Sequence, residues 1–64
     1  MFYEYKGHLY LVTDECSFKD PITRQWVNSF IYQPVVDNQV MDIKYVREKK
    51  EFLSRFKLYN INFK

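Results

Sequence analysis

Apolar and polar positions alternate with a period of two along most of this chain, the pattern of strands whose two faces meet different surroundings. Between Phe2 and Lys6, Tyr3 and Tyr5 fall on one side and Glu4 and Lys6 on the other. Gly7 is the only glycine and supplies a backbone position that takes positive φ without steric cost, so Phe2 to Val12 reads as two strands joined there. In the second of these, Leu9 and Leu11 point one way and Tyr10 and Val12 the other. Asp14-Glu15-Cys16-Ser17 is polar and is expected to leave the sheet. Lys19-Asp20-Pro21 marks a turn, because proline presets φ and an aspartate before it bonds backbone further on. Thr23 to Gln33 is the strongest strand, with Val27, Ser29 and Ile31 alternating against Trp26, Asn28, Phe30 and Tyr32. Pro34 is expected to end it, since proline cannot donate to a ladder. Asp37-Asn38 is a second turn signal. Val40 to Val46 then reads as a half-buried strand, Met41, Ile43 and Tyr45 against Asp42 and Lys44.

The period changes between Arg47 and Phe56. Phe52, Leu53 and Phe56 share one face of a helix, and Glu51 and Arg55 stand at the i,i+4 spacing of a favourable ion pair. One to two helical turns are expected near 47–56. Alternation returns from Lys57 to Phe63, with Tyr59, Ile61 and Phe63 on one side, as a last strand or an ordered tail. The expected fold is mostly β, with about five short antiparallel strands and one helical turn. At this length a small SH3-like barrel or a strongly bent sheet is the economical form, because closure removes exposed edges. A sheet packed on a longer helix is the other arrangement the pattern allows.

Sixty-four residues make one domain, and a chain this short buries only about 60% of its unfolded surface. Cys16 is alone, so no disulfide staples the fold. One Cys and one His (His8) do not make a four-ligand metal site, and no cofactor is expected. The six Phe, six Tyr and one Trp must therefore do the stabilising; dimerisation is a second way to bury surface. A lone cysteine, no ~20-residue apolar run and a start without a signal-peptide core point to a cytoplasmic protein that does not enter the membrane. Charge is unevenly spread. Residues 1–42 carry three cations against six carboxylates, whereas residues 43–64 carry seven against two.

Tyr5-Lys6-Gly7 with Tyr10 and Val12, then Trp26-Val27, Ile31-Tyr32 and Pro34, then Tyr45-Val46-Arg47 with Phe52-Leu53 resemble a small family of uncharacterised bacterial and phage domains. That family opens on Tyr-Lys-Gly-x-x-Tyr and closes on Val-Arg-x4-Phe-Leu. The resemblance covers roughly residues 2 to 56. It implies a compact β domain and no activity. The family's usual proline after the Val-Arg pair is replaced here by Glu48-Lys49-Lys50, which favours a true helical turn at that point.

Catalytic chemistry finds little footing. His8 and Cys16 stand about 25 Å apart if the strand between them is extended, too far for a nucleophile and its base. A phosphate-cradling loop needs more than one glycine. Two binding surfaces are candidates. The aromatic stripe holding Tyr3, Tyr5, Tyr10, Tyr32 and Tyr45 reads first as core, but it contains more rings than one small interior encloses, so part of it is expected to face a protein partner. This gives a non-enzymatic protein-binding module, which the resemblance would make a phage-encoded modulator of a host protein. The second surface is the basic segment Lys44, Arg47, Lys49, Lys50, Arg55 and Lys57, whose cations interleave with aromatics as on single-strand nucleic-acid binders. The carboxylates of the front two-thirds weigh against it, and most such charge runs are solvated faces.

Overall fold

The computed structural model describes residues 1–59. β1 (Phe2–Tyr5) turns into β2 (His8–Lys19) through Lys6 and Gly7, both at positive φ, and Tyr5 lies opposite His8. Two central residues at positive φ form the tight turn whose twist matches that of the flanking strands. The same device recurs at Asp37 and Asn38 (φ 52° and 63°), which join β3 (Trp26–Val36) to β4 (Gln39–Val40). The longer β2–β3 loop is tied by Asp20. Its carboxylate accepts from the Ile22 amide at 2.8 Å and its carbonyl from the Arg24 amide at 2.7 Å. β5 (Tyr45–Glu48) leads directly into α1 (Lys49–Arg55), and β6 (Lys57–Leu58) follows.

All pairings are antiparallel. The strand order is β4-β3-β2-β1-β6, with β5 beside β4 on the outer edge of β3. The sheet is open, which corrects the expected barrel or strongly bent sheet. Closure needs repeated bulges or glycine kinks. The only glycine is spent in the first turn, and the one register shift of the β2–β3 ladder lies between Val12 and Asp14. The two ends of the sheet are also held apart, because α1 runs between β5 and β6 and β6 pairs with β1. The long β2–β3 ribbon gives extents of 46 × 23 × 20 Å.

Four boundaries differ from the sequence pattern. Asp14 to Ser17 stays in β2 and pairs with residues 28–31 of β3, because the bulge at Thr13 lets the polar stretch keep its ladder bonds. Trp26, not Thr23, begins β3. Pro34 does not end the strand: it lies inside β3 opposite Tyr10. Its carbonyl accepts from the Met41 amide at 2.8 Å, so its nitrogen also points to the outer edge, where the pairings of β5 and β4 leave a gap at residues 33–34. The expected Val40–Val46 strand is broken at residues 41–44 into the ends that β4 and β5 occupy.

The core lies on one face only. Alternation and register place Tyr3, Tyr5, Tyr10, Val12, Phe30 and Tyr32 on the same side, and α1 covers them with Phe52 and Phe56. Phe52 is 0% exposed; its ring meets Tyr3, Phe30 and Tyr32 edge-on at 5.0–5.1 Å and stacks on Phe56 at 3.9 Å. Leu53, expected on the same face, is half exposed. Seven residues make only two turns, and the arc they press on the sheet is the width of the Phe52–Phe56 pair. Glu48 caps the helix by accepting from the Glu51 amide, and the Phe56 amide donates to the Phe52 carbonyl. The part of the expected final strand beyond Tyr59 lies outside the described residues.

Candidate functional site

The tyrosine stripe is the floor under α1. Tyr3 and Tyr32 are buried, and Tyr5 and Tyr10 are half-buried against Phe56, stacked at 4.6 Å and edge-on at 5.4 Å. Tyr45, opposite Tyr32 in register, is the only one of the five that stays exposed, at 43%. The structure thus brings these tyrosines together as core and leaves Tyr45 at the margin. Two phenols feel their surroundings. Hydrogen bonding from the Arg55 side chain, helped by the nearby Lys6 charge, holds Tyr5 below the ordinary 10.0. Burial pushes Tyr10 above it, and the neighbouring phenols of Tyr32 and Tyr45 add to the effect.

The basic segment is divided. Arg47 Nε donates to the Tyr32 hydroxyl at 3.2 Å, its Nη1 bonds Glu51 at 2.9 Å, and the guanidinium lies over the Phe56 ring. The bond to Tyr32 is the main reason its pKa is raised further. Lys49 pairs with Glu15 at 3.4 Å and stands over Phe30, and Arg55 meets Glu51 at 3.5 Å, the pair expected from spacing. These exposed pairs contribute only tenths of a kcal/mol each, but they commit half of the candidate phosphate-binding cations to intramolecular partners. Lys44, Lys50 and Lys57 have no carboxylate partner among the described residues. A shallow cleft of about 340 Å³ lies between Trp26, Asn28 and the Glu48–Lys50 corner, with Trp26 70% exposed. Glu48 in its wall works against an anionic occupant.

Among the described residues, none covers the opposite face of the sheet. Leu9, Leu11 and Phe18 of β2 and Val27, Ile31 and Val35 of β3 project there, none of them buried. Val40 and Val46 extend the surface outward beside Val35 and Ile31, and Val46 is 54% exposed. Ser29, 1% exposed in the row of Cys16 and Glu48, is the one buried side chain on this side. Charged groups border and interrupt the patch: Glu4 and Lys57 stand at one edge, Glu48 beside Ser29 at the end of β5, and Asp14 opposite Ile31 in its middle row. Tyrosine content did not point to this surface. The available signal was apolar residues in both registers of β2 and β3, Leu9 and Leu11 against Tyr10 and Val12. Two apolar faces require two covers, and one short helix supplies one.

Among the described residues, no three His, Cys, Asp or Glu side chains cluster as metal ligands, and no helix is long and apolar enough to cross a membrane. No family model, curated protein or solved structure matches the chain.

Proposed function

We propose that this chain is a small non-enzymatic protein-binding module and that its contact surface is the uncovered aliphatic face of the sheet. The observation that carries this is the asymmetry of burial. Every buried aromatic lies under α1, while the valines, leucines and isoleucine across the sheet stay in contact with water. An exposed apolar surface of this extent, here with Asp14 within it, marks an interaction surface. The tyrosines enter this function indirectly, by fixing the sheet that displays the patch; Tyr45, paired with Tyr32, lies on the α1 side.

The test replaces one exposed side chain of the patch. Val46→Glu puts a carboxylate on the surface of β5 without entering the core, so far-UV circular dichroism should be unchanged. Capture of protein partners on the immobilised chain should fall at least tenfold against wild type. Equal capture by the variant would refute the assignment of the surface.

A further inference from the structure

We infer that two copies of this chain join edge to edge along the free part of β2, antiparallel about a two-fold axis beside Ser17, so that their two sheets become one. This contact is made along a strand edge and stands apart from the protein-binding surface above. Three observations carry it. The first is the edge itself. β1 runs beside β2 only as far as Val12, whose amide donates to the Met1 carbonyl at 3.0 Å. From Asp14 to Lys19, β2 has β3 on one side and, among the described residues, no strand on the other. The Asp20 amide donates across the ribbon to the Gln25 carbonyl at 2.8 Å, and main-chain groups alternate in direction along a strand. Phe18, Cys16 and Asp14 therefore face β3, and Glu15, Ser17 and Lys19 turn their amides and carbonyls outward. The Glu15 amide conforms, donating to the Asp14 carboxylate at 2.8 Å. Such an outward row is a template for another strand.

The second observation is charge, which selects a second copy and its register. In a two-fold pair, residue i faces residue j and j faces i. A two-fold at Ser17 sets Glu15 of each copy opposite Lys19 of the other, on the α1 side, to which both side chains belong. A two-fold at Glu15 or Lys19 would set like charges against each other, and one at Cys16 or Phe18 pairs neither charge with its opposite. Opposite charges directly across two strands stabilise the pairing, and like charges disfavour it. On the other side Phe18, 42% exposed, falls opposite Cys16. Asp14 falls opposite Asp20 at the ends of this register, but each carboxylate accepts from an amide of its own chain, Glu15 and Ile22, at 2.8 Å. The third observation is length. Ser17 stands midway between Val12, where Met1 closes the free edge, and Ile22 at the tip of the hairpin. The two-fold that pairs the charges thus brings each tip to the start of the other copy's β1. Ile22 and Met1, 90% and 72% exposed in one copy, meet there.

Sedimentation equilibrium of the purified full chain tests the pairing. A contact this short belongs with weak associations, so the wild type should approach twice 8.0 kDa near ~500 µM and dissociate on dilution. Lys19→Glu should weaken the dimer at least tenfold, and combining it with Glu15→Lys should restore the wild-type constant within threefold, with circular dichroism unchanged in both. Within one chain these two residues stand about 13 Å apart along the strand, so the exchange acts only between copies. Val46→Glu, on the open face, should leave the dimer constant within threefold. A wild-type monomer at that concentration overturns the inference, as does a dimer that is indifferent to Lys19→Glu or that the double exchange fails to restore. A dimer broken by Val46→Glu and not by Lys19→Glu would put the second copy on the aliphatic face and overturns the edge pairing alone.

Discussion

Phe52 and Leu53 are neighbours on α1 that the spacing of apolar residues treats alike, and the structure separates them by several kcal/mol. Phe52 is fully buried among four rings. Burying a phenylalanine removes about 150–250 Å² from water, worth roughly 4–6 kcal/mol at 25 cal/mol/Å². Phe→Ala truncations in cores cost about 3–5 kcal/mol, and the edge-on contacts with Tyr3, Phe30 and Tyr32 favour the upper end. A chain of this length holds roughly 3–10 kcal/mol in all. Phe52→Ala should therefore leave it largely unfolded at 25 °C or near that point. Leu53→Ala removes a half-exposed side chain and should cost under about 1 kcal/mol. Urea titration followed by far-UV circular dichroism, at one protein concentration for all variants, measures both. Trp26 fluorescence is a poor reporter, because that ring is already in water in the folded chain. Equal costs for the two variants, or a Phe52→Ala cost below about 1.5 kcal/mol, would refute the placement of the core.

Gly7 has φ +79° and open space where a Cβ would stand, so Gly7→Ala should cost about 1–2 kcal/mol from backbone strain alone, read as a lower urea midpoint with an unchanged slope. In an alkaline titration followed by tyrosine ring carbon shifts, Tyr5 should ionise before Tyr10, since their pKa values lie on opposite sides of 10.0. Tyr10 holds its proton more tightly folded than unfolded. Its contribution to stability is complete below pH 10 and is lost as pH rises through the higher folded value. The contribution of Tyr5 has the opposite sign: it is present above pH 10 and lost as pH falls through its lowered folded value. Tyr10→Phe should accordingly reduce the alkaline loss of stability, and a Tyr10 that ionises first would refute its burial beneath Phe56.

Local chemistry determined the turns, the alternation and the helix. Gly7 and Asp37-Asn38 accept positive φ, Asp20 bonds backbone two residues on, and Glu48 caps the first turn of α1. Each is decided within a few residues, where steric and hydrogen-bond rules act without reference to the rest of the molecule. Fates that depend on distant partners were decided by tertiary structure. Asp14 to Ser17 stays paired because β3 is long enough to receive it across a bulge, and Pro34 is tolerated because its missing N–H faces a gap between two outer strands. Pattern alone marks both faces of β2 and β3 as apolar; which one becomes core depends on where two turns of helix fall. Once α1 settles on the tyrosine side, Tyr3 and Tyr32 become interior and the aliphatic side is left as the exposed surface.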